Sequence, residues 1–310
     1  MGISRTVFLW ASTNAWLRNR AVRTRFVKRS VVKFMPGERL EDAIEAARRL
    51  RPAAIATILT RLGENISQMS EADEVCAHYL HVLELVRQAG LDAQVSVKPT
   101  QLGFDQDREA CFRYLTTILD ATVSAGNFLW LDMESSSYVD GTIALYERLR
   151  ERSASVGLAV QAYLYRTEKD IERLIPLGAA LRLVKGAYLE PAAVAFPKKS
   201  DVDRNYFKLA SRLLQDDNTK PGALVHIGTH DIPLQERIRR VIADRNVSRG
   251  RYEIAMLYGI QSQRQRDLAA SGTPVRCLIS YGEHWFPWYM RRLGERPANV
   301  WFVVKNMFGR

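Results

Sequence analysis

The feature that most constrains the fold is a repeated alternation of short β-rich runs with longer segments of helical character. Eight such runs follow residue 50: Ala53–Leu59, Gln94–Val97, Phe128–Leu131, Leu158–Leu164, Leu181–Val184, Ala223–Ile227, Tyr252–Leu257 and Val275–Ile279. The intervening segments are long enough for helices, as in Glu71–Ala89, Ser200–Asp216 and Leu234–Ala243. Strands that alternate with helices pair in parallel, and eight units in about 250 residues predict a closed (β/α)8 TIM-type barrel.

A doubly wound open sheet is the competing architecture. It normally binds a dinucleotide through G-x-G-x-x-G after its first strand, and the chain has no such motif. The barrel is therefore preferred. We assign residues 1–45 to a basic N-terminal helical arm and residues 46–310 to the barrel.

In a barrel of this type, polar residues at the carboxyl ends of the strands face the active site. The predicted strand ends are rich in charged and aromatic residues, which indicates a deep polar pocket for a charged ligand. These residues are Thr60, Arg61, Glu64, Lys98, Asp132, Glu134, Gln161, Tyr163, Lys185–Tyr188, Thr229–Asp231, Tyr258, Ser280 and Tyr281.

Two strand ends are more informative than the others. Lys98 closes a β-branched strand that Pro99 ends, which fixes the lysine at the rim, although a solvated lysine has the same spacing. Asp132 follows a wholly apolar run, where a carboxylate is costly without a partner, and this favours a functional acid.

A third motif lies near the C-terminus, where Arg291 and Arg292 follow an aromatic segment. On a helix their directions differ by about 100°, so both guanidinium groups can reach one small anion. Glu295 lies three and four residues on and can hold either arginine. A surface arginine pair has the same spacing, but Trp285, Trp288 and Tyr289 indicate that the helix is covered.

The motif Arg291-Arg292-x-x-Glu295, followed by Arg296-Pro-Ala-Asn299, resembles the signature helix of the proline dehydrogenase family. The resemblance extends from about residue 40 through five further groups of residues in the family's order. These are Arg61–Asn65, Gln161–Tyr163, Leu181–Tyr188 with Thr229-His230, and Met256–Gly259. It implies a distorted barrel whose C-terminal helix covers the active site, FAD as cofactor, and oxidation of L-proline to Δ1-pyrroline-5-carboxylate. A membrane quinone would accept the electrons.

The resemblance also implies roles for individual residues. Arg291, Arg292 and Lys98 would bind the proline carboxylate, Glu295 would fix the arginines, and Asp132 would hold Lys98. The walls around the substrate ring would be Ala187, Tyr188, Leu257, Leu278 and Trp288. FAD would contact Met133, Gln161, Arg182, Val184, Lys185, Gly186, Thr229 and His230. Arg182 would lie near flavin N5, which receives the hydride from proline C5, and Gly186 would permit close backbone approach.

Three positions depart from the family pattern: Trp288 and Leu278 replace tyrosines, and Ser280 replaces a proline. The departure at Leu278 leaves 4-hydroxyproline or another cyclic amino acid open as substrate, because the tyrosine of the family crowds the substrate ring. A barrel of the methylenetetrahydrofolate reductase type is the alternative enzyme. A nucleic-acid-binding barrel without catalysis is the alternative from another class, although the chain has no motif for it.

The net charge of +11 is concentrated at the N-terminus, where residues 1–35 contain eight arginines and lysines and no acidic residue. Interleaved apolar residues such as Trp10, Leu17 and Phe26 are typical of a helix on an anionic membrane surface. The same pattern is also typical of ordinary helices that pack on the barrel while their arginines reach water, and we prefer this interpretation.

We expect no cleaved signal peptide. The sequence contains no apolar run of about 18 residues, and its three cysteines lack C-x-x-C spacing. These features fit a reducing compartment. We expect a cytoplasmic protein, peripheral at the inner face of the cell membrane if the arm binds lipid. No H-E-x-x-H motif occurs among the five histidines, so we predict no metal site.

Overall fold

The computed structural model describes residues 31–64, 66–215 and 220–295, without the side chains of residues 292–295. Eight parallel strands close into a barrel in which each strand pairs with the next along the chain and β8 pairs with β1. This confirms the predicted fold. The strands are β1 (Ala56–Arg61), β2 (Ala93–Val97), β3 (Leu129–Leu131), β4 (Val156–Gln161), β5 (Ala180–Val184), β6 (Leu224–Gly228), β7 (Tyr252–Leu257) and β8 (Val275–Tyr281).

Helices alternate with the strands and cover the barrel. They are α1 (Leu40–Leu50), α2 (Met69–Gln88), α3 (Arg108–Ser124), α4 (Val139–Arg152), α5 (Thr167–Leu174), α6 (Lys199–Leu213), α7 (Ile232–Asp244), α8 (Ser262–Ala270) and α9 (Trp285–Glu295). Short 3-10 turns occur at Arg51–Ala53, Pro99–Leu102, Ser136–Tyr138, Ile175–Leu177 and Arg249–Arg251.

Local sequence signals explain where these elements begin. Asp107 caps α3, because its carboxylate accepts hydrogen bonds from the backbone N–H groups of Glu109 (2.9 Å) and Ala110 (3.0 Å). Asp231 caps α7 in the same way through Leu234 N–H at 3.2 Å. Pro99 opens the 3-10 turn directly after β2, which leaves Lys98 at the rim as predicted.

The predicted strand bounds are wrong by three residues at two places. The fourth run ends at Gln161 rather than Leu164, because Leu164 N–H turns back to the carbonyl of Gln161 (3.3 Å). The first run begins at Ala56 rather than Ala53, because Arg51–Ala53 form a 3-10 turn that Ala54 ends with φ of 54°. Both turns are closed by local hydrogen bonds between residues three apart, and strand propensity alone does not predict them.

The two faces of the barrel wall differ in character. Side chains such as Leu59, Val97 and Leu131 belong to the large core between strands and helices. Because side chains alternate along a strand, their neighbours Ile58 and Trp130 point into the barrel, where they form a separate cluster with Ala180. Polar side chains occupy further positions with this inward direction, so the barrel interior is not a purely apolar core.

Residues 1–30 lie outside the described residues, so the membrane interpretation of the basic arm and the division at residue 45 stay predictions. Among the described helices, none has the length and apolar character needed to cross a membrane.

Candidate active site

Helix α9 lies over the carboxyl ends of the strands and is held by an apolar cluster. Its residues Trp285, Phe286, Trp288 and Tyr289 pack with Val31, Met35 and Leu62. A Cβ atom on Gly259, which follows β7 and has φ of +73°, would lie 1.5 Å from the carbonyl oxygen of Lys33. The backbone before α1 therefore lies directly on this loop. This contact and the apolar cluster together position α9, which carries Arg291.

Two buried cations converge at one point beneath α9. Lys98 is 7% exposed and Arg291 is 9% exposed. Both contact the carboxylate of Glu64, Arg291 through Nη2 at 2.5 Å and Lys98 through Nζ at 3.6 Å. Burial acts to raise the pKa of Glu64, but the charges of Lys98 and Arg291 hold that pKa below its ordinary value. The pair is therefore a site that binds a carboxylate.

The ring of Tyr188 forms one wall of this site, because the guanidinium carbon of Arg291 lies 5.1 Å from its centre. Burial raises the pKa of Tyr188 well above its ordinary value, so its hydroxyl stays protonated. The side chains of Arg292 and Glu295 lie outside the described part of α9. Their predicted roles are untested.

The prediction that Asp132 holds Lys98 is wrong for this structure. Asp132 forms an ion pair with Arg182 and accepts a hydrogen bond from the Ser96 hydroxyl at 2.9 Å. Arg182 Nη2 also donates to Ser96 Oγ at 3.0 Å. Asp132, Arg182 and Ser96 thus form a triad, while the carboxylate that forms an ion pair with Lys98 is Glu64. The reason is that β5 brings a longer cation across the barrel to Asp132.

Arg182 is suited to face a ligand. It is 3% exposed, and among the described residues its Nη1 atom has no hydrogen-bond partner. A buried guanidinium nitrogen without an acceptor is costly, and a bound ligand atom that accepts a hydrogen bond would satisfy it. The predicted position of Arg182 beside a cofactor is therefore consistent with the observed geometry.

Glu134 is a second buried carboxylate at the mouth of the barrel. It accepts hydrogen bonds from the hydroxyl of Thr100 (2.6 Å) and from its N–H group (3.3 Å). Burial raises the pKa of Glu134 to about 7, although Thr100 and the charge of Lys98 act in the opposite direction. Glu134 is therefore partly protonated near neutral pH.

We expect the pKa of Glu134 to appear in the stability of the protein. Between about pH 4.5 and 7 the unfolded chain releases the proton of Glu134 while the folded protein keeps it, so stability falls as the pH rises. In Glu134→Gln this contribution is absent. The free energy of unfolding of the wild type, relative to the variant, should fall by about 2–4 kcal/mol from pH 4.5 to 8. Urea unfolding at several pH values measures this fall. A difference in unfolding free energy that stays constant with pH would contradict the raised pKa of Glu134. The variant Glu109→Gln, changed at an exposed glutamate, provides the control.

Apart from Met133 and Arg182, the residues predicted to bind the cofactor lie at the ends of β4, β5 and β6 or directly after them. Gln161 donates from Nε2 to the carbonyl of Glu134 (2.8 Å). His230 accepts through Nε2 from the N–H of Leu257 (2.9 Å), so a neutral ring carries its proton on Nδ1. Thr229 Oγ1 accepts from the Asp231 N–H at 3.2 Å. Lys185 contacts Asp203 and, at 2.9 Å, Asp231.

The structure gives a reason for a glycine at position 186 that the sequence did not predict. Its φ is +113°, and a Cβ atom there would lie 2.3–2.5 Å from the ring of Tyr163. The absence of a side chain thus accommodates Tyr163. The expected close approach of a cofactor at Gly186 stays a prediction.

The other predicted pocket residues occupy three different environments. Met133 joins the outer core, and Leu278 packs against the cluster inside the barrel. Trp288 packs in the cluster under α9. Val184, Ala187 and Leu257 are half-buried at the ends or just past the ends of their strands. Their contacts with a ligand stay predictions.

Sequence reasoning missed Ser96 and gave Glu64 no role. Ser96 lies two residues before Lys98, so the period of two already placed both side chains on the same face of β2. Glu64 was recognised as a strand-end residue. Its contact with two cations depends on the fold of the loop after β1, for which the sequence has no periodic signal.

The family model for proline dehydrogenase matches residues 43–305. The chain belongs to the proline dehydrogenase family. Proline dehydrogenase 1 of Bacillus subtilis subsp. natto is 33% identical over 305 residues, which cover 98% of each chain. The proline dehydrogenase of Deinococcus radiodurans is 35% identical over 280 residues, or 89% of each chain. Membership of this family makes the chain an oxidoreductase.

Solved structures agree on the fold. Proline utilization A from Bdellovibrio bacteriovorus matches 99% of this chain with a TM-score of 0.81 and 20% identity. This chain spans 38% of that protein, so the likeness concerns one part of it. The family assignment decides against the folate-reductase and nucleic-acid alternatives.

Proposed function

We propose that the protein oxidises L-proline to Δ1-pyrroline-5-carboxylate with FAD as cofactor and a membrane quinone as electron acceptor. The observation that carries this proposal is the convergence of Lys98 and Arg291 on a single carboxylate under a covering helix. An amino-acid carboxylate has the charge and shape of the Glu64 group that the two cations contact.

In this proposal the substrate carboxylate takes the place of Glu64 between the two cations. Charge-assisted hydrogen bonds of this kind contribute about 1.5–3 kcal/mol each, which is enough to orient a very small molecule. Helix α9 and the ring of Tyr188 exclude water from the ring of the substrate. The role of the protein is to hold proline C5 in one position, because precise placement lowers the barrier to transfer.

FAD would be held by the residues at the ends of β4 to β6, namely Gln161, Val184, Lys185, Gly186, Thr229 and His230, together with Met133 and Arg182. When bound, it would supply the two-electron oxidation by accepting the hydride that leaves C5. Arg182, which contacts Asp132 and Ser96 through Nη2, offers a positive group with an unused N–H in the barrel interior. The ring nitrogen of proline loses its proton as the C=N bond forms.

Turnover of the purified protein with L-proline and a soluble dye acceptor tests this function. We expect reduction of the dye and a product with two hydrogen atoms fewer than proline by mass spectrometry. L-proline, 4-hydroxyproline and NADH should be compared at equal concentration, with proline as the preferred donor. Faster turnover with another donor would contradict proline as the substrate. No turnover with any of the three donors would contradict the proposed dehydrogenase activity.

If a membrane quinone accepts the electrons, the basic arm could serve either as a membrane contact or as part of the folded structure. We expect deletion of Met1–Lys33 to lower turnover with dye and with quinone in anionic vesicles together, because Val31 packs in the cluster that holds α9. A matched variant with Arg18, Arg20 and Arg23 replaced by Glu should keep both activities. A soluble deletion variant that loses quinone turnover alone would show that the arm is a membrane contact.

A further inference from the structure

A tryptophan on β3 crosses the barrel interior to reach Arg182. Trp130 is fully buried, and the guanidinium carbon of Arg182 lies 5.1 Å from its ring. The ring of His226 lies 4.2 Å from Trp130, with a tilt of 35°. Arg182 and His226 are register partners on β5 and β6, so their side chains point to the same side. Trp130 contacts Arg182 from two strands away and His226 from three strands away.

Strand β4 lies between β3 and β5 and leaves space for this crossing. The register partner of Trp130 on β4 is Gly157, and a Cβ atom there would lie 2.5–2.9 Å from three atoms of the indole ring. The next inward residue of β4 is Ala159, which pairs with Arg182. The indole is also oriented, because its Nε1 donates to Gln94 Oε1 at 2.6 Å. The ring is thus held in one direction.

A buried ionic chain supports His226 on its other side. His226 Nε2 lies 2.8 Å from Glu253 Oε2, and Glu253 accepts two hydrogen bonds from Arg276, one of them at 2.8 Å. Arg276 also contacts the exposed Asp92 at 2.9 Å. Burial lowers the pKa of His226 to about 4, against the effect of Glu253. The ring is therefore neutral at neutral pH and adds no second positive charge beside Arg182.

The hydrogen bonds of Arg182 do not fix the orientation of its guanidinium plane. Asp132 and Ser96 both contact Nη2, and two contacts that share one nitrogen do not prevent rotation about it. Nη1, the nitrogen available to a ligand, would move most in such a rotation. A planar guanidinium group stacks well on an aromatic face, so the indole opposes that rotation.

We propose that Trp130, seated on His226 in the space that Gly157 leaves, is a positioning residue that aims Arg182 Nη1 at the bound cofactor. This inference rests on the proposed function, because it requires a flavin in front of Arg182. A positive group aimed at the cofactor stabilises the negative charge that reduction adds. Loss of the indole should therefore make the flavin harder to reduce without affecting the carboxylate site.

The test compares Trp130→Leu with the wild type as holoenzymes. We expect kcat to fall about tenfold, with KM for proline changed less than threefold. We also expect a tenfold shift in the relative affinity for reduced and oxidised flavin, which is about 30 mV towards negative midpoint potential. Gly157→Ala displaces the ring while keeping Trp130 and Arg182, and it should reproduce both changes. Tyr146→Leu, which removes a ring from the outer core, is the control and should leave the potential unchanged.

A double-mutant cycle shows whether Trp130 acts through Arg182. In an Arg182→Met background, Trp130→Leu should shift the potential no further. An equal shift in both backgrounds would overturn the inference, as would thermal destabilisation with kcat and potential unchanged. If Trp130→Leu does not fold, the same cycle with Gly157→Ala decides. A wild type without proline-reducible flavin would refute the proposed function itself, which is a separate outcome.

Discussion

Arg291→Met is expected to raise the KM for L-proline by about 10- to 150-fold while the protein keeps its flavin. The range corresponds to loss of one charge-assisted contact of about 1.5–3 kcal/mol. Arg291 is nearly buried and contacts the same carboxylate as Lys98, so its removal weakens the site for an anion. It has no assigned part in binding the cofactor. Steady-state kinetics with dye, together with the flavin content of the purified variant, measure both quantities.

Two further variants sharpen this result. Arg291→Lys keeps the charge but loses the planar fork, so its KM should lie between those of the wild type and the methionine variant. Arg148→Met removes an arginine whose partner is the exposed Glu109 on the outside of the barrel, and it should leave KM unchanged. Loss of flavin from Arg291→Met with an unchanged KM would show that α9 binds the cofactor instead.

Arg182→Met is expected to lower kcat by about 10²- to 10³-fold with a change in KM of less than threefold. The magnitude is that of removing one fixed donor from a site where negative charge develops. KM should hold because Arg182 contacts Asp132 and Ser96, whereas the carboxylate site is built from Lys98 and Arg291. Rapid-reaction measurement of flavin reduction by proline isolates this step from the acceptor.

The variant leaves Asp132 without its cation, which is a cost to folding. Arg182→Met combined with Asp132→Asn removes that unpaired charge, so it should recover thermal stability without recovering kcat. Recovery of both would show that Arg182 has only a structural role. A large rise in KM with kcat unchanged would place Arg182 in the substrate carboxylate site.

The sequence predicts the barrel well because its information is periodic. Parallel pairing and closure follow from eight alternating units, and Lys98, Asp132 and Gln161 were correctly placed at strand ends. The partners of these residues were less predictable. Alternation tells which face of a strand a residue occupies, but not which strand across the barrel supplies its contact. The resemblance implied Asp132 as the partner of Lys98, whereas Arg182 from β5 reaches Asp132 in the structure.

The interior of the barrel shows the same limit. Trp130 is part of an apolar run and Gly157 is the second residue of the next strand, so neither stands out in the sequence. Their relation becomes visible only when register places the glycine beside the indole. His226 likewise precedes the Thr229-His230 motif as an ordinary strand residue. Its role depends on Glu253 from the following strand, a contact that local periodicity does not encode.

The most direct test of the central claim is the absorption spectrum of the purified protein before and after anaerobic addition of L-proline. We predict the two visible bands of an oxidised flavin, which proline bleaches and NADH leaves unchanged. Glu109→Gln, altered only at the exposed outer surface, should behave in the same way. A colourless protein that gains no proline-reducible band when FAD is added, or a flavin that NADH bleaches and proline does not, would contradict the account.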